Sequence, residues 1–246
     1  MSDLSTSRHT VPNILFSSTL YTPFIEQDEI LLSRHSTVEK IIARGVSALV
    51  RLPGAVARSQ ITVSWFGSVY AGYTVLLARM MGKKSIVVVA GVDAAKEKEI
   101  QYGIWLNPVK ARVVRYAFLH ANRVLVVDPS LGTEAARLAG YDGRNIRYIP
   151  FGYDSTVWVP GGAKVDMVLT VAACHDRWRM KKKGIDKIFA AAQAMPGTRF
   201  CVIGIHPRLM PDVSRSVPGN VEVIPYVPQN QLLPYYQKAK VYCQPS

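Results

Sequence analysis

The feature that most constrains this chain is a set of short apolar runs that do not alternate with polar residues. Ile86 to Val89 and Val124 to Val127 are unbroken and rich in β-branched side chains. A strand with one wet face would alternate, so these strands need helices on both faces, the condition of a parallel sheet. The rest of the chain supplies such helices. Strand-like "NILFSS" (13–18), "TVEKII" (37–42), "ITVSWF" (61–66), "SIVVVAG" (85–91), "RVLVVD" (123–128) and a weak "IRYI" are separated by longer helical patterns. Among these are "FIEQDEILLSRH", an Arg-punctuated stretch interrupted by Pro53, segments near 68–81 and 107–121, and "PSLGTEAARLAG" with Ser130 as N-cap and Gly140 as stop.

"PFGYDSTVWVPGG" (150–162) breaks the rhythm with prolines and glycines and reads as a linker between domains. The pattern then restarts: "DMVLTVAA", a helix over 184–194, "TRFCVIG", "NVEVI", a helix over 229–237 and "KVYCQ". The expectation is an α/β protein of two Rossmann-like domains, over 1–155 and 156–246, the second incomplete. Its sheet would leave apolar surface uncovered around Val202, Val223 and Val241.

Composition narrows the partners. The formal charge is +13 in 246 residues, which fits nucleic acid, an anionic membrane or phosphate-bearing small molecules. No nucleic-acid motif or sheet face of interleaved aromatics accompanies it, so nucleic acid is set aside. Cys174, Cys201 and Cys243 have no CxxC spacing and read as buried thiols of a reducing compartment. The polar N-terminus lacks a signal-peptide core, and no apolar run is long enough to span a bilayer. The expected location is the cytoplasm, at the inner membrane surface if the 40–59 stretch meets lipid. That stretch spaces Arg44, Arg51 and Arg58 seven apart, beside Ile41, Val46, Leu49 and Val50.

Several chemistries are excluded by missing motifs. Strand ends such as "VAGVDAAK" and "VIGIHPRL" offer one glycine each, so G-x-G-x-x-G is absent, as are the P-loop and G-x-S-x-G. The five histidines are scattered, and no metal-ligand spacing or Asp-x-Asp occurs. What remains is "CHDRWRMKKKGIDKIFAAA", which puts Arg177, Arg179, Lys181, Lys182 and Lys183 between a strand end and a helix beginning near Gly184. Fixed cations, unbonded helix N–H groups and the positive end of the macrodipole together suit a diphosphate. A solvated basic loop is the alternative.

At this point the chain resembles glycosyltransferase family 4, retaining enzymes of the GT-B type with two facing Rossmann domains. "IRYIPFGYDSTVWVP" resembles that family's I-P-N-G-V-D-x-x-x-F-x-P linker, and "KKKGIDKIFAAA" its K-G-x-x-x-L-x-x-A phosphate-binding helix. "RFCVIG" and "NVEVIPYVPQNQLLPYYQKAKVYCQPS" resemble the following strands and turns, through to the Pro-Ser pair. The resemblance is ordered from about residue 120 onward and implies transfer of a sugar from a nucleotide diphosphate sugar, with retention, to a glycan or lipid-linked acceptor. It implies no metal and no resident cofactor, the nucleotide sugar being a co-substrate. It assigns Lys183 to the donor phosphates, with Arg179 as first choice and Arg177 as second for the family's arginine, since "AACHDRWRM" has no Gly-Arg pair. Tyr226 falls where the family's turn meets the nucleotide base. Asp93 matches the aspartate of a His-Asp pair whose histidine is missing here, and an N-cap role before "AAKEKEI" is the alternative.

The family's Glu-x-x-x-x-x-x-x-Glu motif would follow Ser246, so the chain as it stands is expected to be inactive alone. The competing expectation is a degenerate, non-catalytic binding subunit. Glu26, Asp28 and Glu29 lie on the helix near the expected acceptor side, and His120 and His175 read as structural.

Overall fold

A computed structural model describes residues 11 to 245. The polar N-terminal stretch through Thr10 and the final Ser246 lie outside the described residues, and with them the readings made of those ends. The chain divides between Phe151 and Gly152 into two compact units.

The first unit is a six-stranded parallel sheet in the order β2-β1-β3-β4-β5-β6. Its strands are β1 (Asn13–Ser18), β2 (Thr37–Ile42), β3 (Ile61–Trp65), β4 (Lys84–Val89), β5 (Arg123–Val126) and β6 (Ile146–Tyr148). Its helices are α1 (Pro23–Ser33), α2 (Gly45–Arg58), α3 (Val69–Met80), α4 (Pro108–His120) and α5 (Pro129–Ala139). Neighbouring residues on one strand go to opposite layers, as a two-sided sheet requires. Leu15 and Val87 pack toward α2 to α5, whereas Ile14, Phe16 and Val88 pack toward α1. The connection from β1 steps one way along the sheet and that from β3 the other. Right-handed crossovers therefore put α1 and α3 on opposite faces, and the direction reverses between β1 and β3.

The second unit is a four-stranded parallel sheet in the order β10-β7-β8-β9. Here β7 is Val165–Cys174, β8 Arg199–Ile205, β9 Val221–Ile224 and β10 Ala239–Tyr242, joined by α6 (Arg177–Lys182), α7 (Ile185–Ala194), α8 (Met210–Val213) and α9 (Leu233–Lys238). One sheet face packs Cys174 and Val202 with Ile185 and Ile188 of α7. The other packs Leu169, Cys201 and Ile203 with Leu232, just before α9. The reversal lies between β7 and β10.

Local chemistry corrects four readings. The α5 N-cap is Asp128, which accepts the Ser130 amide at 2.8 Å, and not Ser130, because Pro129 already occupies the first turn. Pro53 does not break α2. Burying Leu52, Ala55 and Val56 outweighs the ~3 kcal/mol of a mid-helix proline. Arg177 to Lys182 coil into their own helix, α6, where a loop was expected, because Asp176 caps it by accepting the Arg179 amide at 2.7 Å. Val202 is fully buried under α7, whereas Val241 on the edge strand is 52% exposed.

Candidate functional site

In an open parallel sheet, ligands sit beyond the carboxyl ends of the strands where the connection direction reverses, because the outgoing loops part there. In the second unit that place is the end of β7 beside β10. Strand β7 leaves through a register irregularity between Val171 and Cys174 into α6, and α6 stops at Lys183. Gly184 follows in the left-handed region with φ of +65° and opens α7. A Cβ there would lie 2.3 Å from the Pro245 carbonyl oxygen, so glycine is required by conformation and by space. The Gln244 side-chain amide donates to the Lys183 carbonyl at 3.3 Å, and the Thr170 hydroxyl to the Cys243 carbonyl at 2.8 Å. The segment after β10 therefore lies against the turn that starts α7.

Helical spacing sorts the five cations into two groups. Residues three and four apart share a face, so Arg179, Lys182 and Lys183 go one way, and Arg177, Met180 and Lys181 the other. The second group lines a cavity of about 350 Å³ with Asp186, Phe189, Leu209, Val213 and Ser216. The first group is drawn together. The Lys182 ammonium is pushed down to about 8 by burial first and then by Lys183 and Arg179. It also sits 5.5 Å from the centre of the Trp178 ring. Arg179 keeps a 3.6 Å contact with its cap, Asp176. Burial raises the Cys174 thiol at the end of β7, with Lys183 and Arg179 pulling it back and Asp176 adding to the rise. Tyr226 is 58% exposed in the turn after β9. Since β8 separates β9 from β7, that turn stands about 10 Å across the sheet from the β7 end.

The corresponding place in the first unit is built from carboxylates and aromatics. Asp93 lies in a short 3-10 turn after β4 and is fully buried. One carboxylate oxygen accepts the Gly67 amide at 2.8 Å, and the other accepts those of Ala90 and Gly91 at 3.2 and 3.0 Å. Its carbonyl accepts the Trp105 indole N–H at 2.8 Å. Burial pushes the Asp93 carboxyl up to about 6 against those amides. No helix follows it: "AAKEKEI" forms a loop closed by a Glu97–Tyr102 bridge. The N-cap alternative is thus replaced by a cross-link between the loops after β3 and β4.

Of the α1 acids, Glu26 is exposed. Asp28 accepts the Trp65 indole N–H at 3.1 Å, with its carboxyl raised by burial. Glu29 pairs with Lys40 at 3.0 Å and accepts from the Tyr21 hydroxyl. Sequence reasoning missed the aromatic group around Trp65. Its ring stacks on Phe151 at 6.1 Å and meets Phe24 edge-on at 5.4 Å. Phe66 follows with φ of +69°, a conformation a bulky residue adopts only when its surroundings impose it. The available signal was "WFGS", two aromatics ahead of a helix cap at a strand end. His120 bonds Arg79 at 2.7 Å, and the His175 ring packs on His206 at 5.7 Å. Among the described residues, no three His, Cys, Asp or Glu come together as a metal site.

No protein-family profile and no curated protein matches the chain. Solved structures do resemble it. A glycosyltransferase from Rickettsia africae superimposes with a TM-score of 0.64 at 10% identity, covering 96% of this chain and 73% of its own. The glycotransferase of kitacinnamycin gives 0.53 at 15% identity, with 95% and 75% covered. A UDP-GlcNAc 2-epimerase from Neisseria meningitidis, solved with UDP-GlcNAc, gives 0.51 at 12%, with 94% and 76% covered. At such identities the likeness is one of fold, and the fold is the α/β, Rossmann-like architecture shared by these transferases and epimerases.

Proposed function

We propose that this chain binds a nucleotide diphosphate sugar and serves its transfer, with retention, to a glycan or lipid-linked acceptor. The observation that carries the reading is the convergence of Arg179, Lys182 and Lys183 on one side of α6, at the strand end where the sheet reverses. Breaking a glycosidic bond to a diphosphate builds negative charge on the departing phosphates. Fixed cations and the first N–H groups of α7 would stabilise that charge where it develops. Side-chain cations take the part a metal plays elsewhere, so the reading needs no metal or resident cofactor. Arg177, turned toward the cavity on the other side of α6, is the weaker choice for a phosphate ligand.

Tyr226 is proposed to meet the base, and Asp93 to act by positioning the loops that carry Gly67 and Gly91 rather than by touching substrate. The proposed setting is the cytoplasm, at the inner surface of a membrane. Among the described residues, no helix is long and apolar enough to cross one.

The epimerase likeness motivates a second reading, in which the same donor site inverts a centre on the sugar without an acceptor. Calorimetric titration with UDP and GDP, followed by incubation with their sugars, tests both. Diphosphate binding with donor turnover supports transfer. A new epimer without acceptor supports the second reading. Binding without turnover leaves a non-catalytic binding subunit, and absence of binding refutes the donor site.

A further inference from the structure

The two helical layers of the first unit differ in charge. From Lys40 to Val92, and again from Ile100 to Val127, the chain contains no aspartate or glutamate. The fold places α2, α3 and α4 from these stretches side by side on one face of the sheet. They carry Arg51, Arg79, Lys110, Arg112 and Arg115, and Arg58 paired with Glu39 of β2, with no carboxylate on any of the three, while α5 beyond them carries Glu134 paired with Arg137. The opposite layer, α1, carries Glu26, Asp28 and Glu29 and no cation. A solvated helix layer usually mixes signs, so three successive helices of one sign mark a face that meets negative charge.

Among those cations the outward face of the layer also presents apolar side chains. Helix α2 buries Ala48, Leu52, Ala55 and Val56. This leaves Val46 and Val50 on its far side, each 75% exposed. Helix α3 presents Leu76 at 39% and Met80 at 75%, and α4 presents Val109 at 66%. Sequence spacing alone grouped Ile41 with Val46 and Val50, but Ile41 is buried under α2. The stripe is therefore not the face that packs on the sheet. A nucleic-acid surface would not need apolar side chains at its most exposed points, and a protein partner would not need three helices without a carboxylate. Exposed apolar residues among arginines suit the headgroup region of an anionic bilayer, where aliphatic side chains sink and guanidinium groups meet phosphate.

We infer that the α2–α3–α4 face is a membrane-docking surface for anionic lipid, along which Val46, Val50 and Met80 are the most exposed apolar side chains and Arg51, Arg79 and Arg112 supply the positive charge. It widens the membrane contact proposed above from one helix to a layer. It does not depend on the donor site, since none of Arg179, Lys182 and Lys183 belongs to it.

Flotation of the full chain with phosphatidylglycerol-containing vesicles, beside phosphatidylcholine alone, is the test. Binding is expected only to the anionic vesicles and should weaken as salt rises. Val50→Glu with Met80→Glu, at positions exposed enough to leave folding intact, should cut partitioning at least about tenfold. Arg51→Ala with Arg112→Ala should cut it about fivefold per charge. UDP titration of the same variants should be unchanged, which separates failure of this surface from failure of the donor reading. A protein that stays with the buffer at low salt overturns the inference, as does binding that survives both pairs of substitutions. A concentration-dependent dimer abolished by Val50→Glu would assign the face to a second copy instead. Duplex oligonucleotide binding that ignores the apolar pair, with no vesicle binding, would assign it to nucleic acid.

Discussion

The two units reverse their connections at equivalent places, β1 against β3 and β7 against β10, yet they do opposite things with charge there. In the first, Asp93 is enclosed and each of its oxygens accepts backbone amides, so its charge is used inside the fold. In the second, Arg179 stays exposed, and Lys182 and Lys183 are only partly covered. Burial first, and then repulsion from Lys183 and Arg179, lowers Lys182, and under the proposed donor reading a bound diphosphate would relieve that repulsion. Topology says where polar groups gather, and burial then decides whether they organise the protein or wait for a ligand.

Lys183→Ala is the largest expected effect. Loss of a cation aimed at developing charge should lower donor turnover by ~10²–10³ and weaken UDP binding in calorimetry. Unchanged values would break the contrast by moving the phosphate site elsewhere. Asp93→Ala should destabilise the first unit by about 2–4 kcal/mol in urea unfolding, because the amides of Gly67, Ala90 and Gly91 lose their acceptor. A variant that folds normally yet loses turnover would instead make Asp93 a group that acts on substrate.

The same residue gives a pH test. Its folded carboxyl is raised to about 6 from 3.8, so the folded form holds its proton longer than the unfolded chain does. Stability from this group is therefore present at low pH and is lost as pH rises through about 4 to 6, by up to about 3 kcal/mol. Asp93→Asn should flatten that slope. Gly184→Ala comes next. The strain of a left-handed residue, together with the clash at Pro245, should cost ~1–2 kcal/mol and several-fold in UDP affinity. The smallest effect sharpens the cation side. Lys182 falls to about 8, so UDP binding should take up a proton above that pH. Affinity should then decline by a few-fold as pH climbs from about 8 toward 10.

The order of strands and helices was legible because unbroken runs such as Ile86 to Val89 report coverage on both faces without reference to anything distant. The cationic segment was legible for a similar reason, as its residues are neighbours in sequence. Sequence could not split it. Only the coiling of α6, set by the Asp176 cap, sends Arg179, Lys182 and Lys183 to one side and Arg177 and Lys181 to the cavity. The aromatic group of Phe24, Trp65 and Phe151 joins three distant segments, and no local pattern announces it. Asp93 looked like a cap because aspartate before a polar stretch usually is one. The enclosure that turns it toward Gly67 comes from strands β3 and β4 lying side by side. Local periodicity and charge are properties of the chain by itself, whereas burial, which fixes what a charge or a valine does, exists only once remote segments have packed.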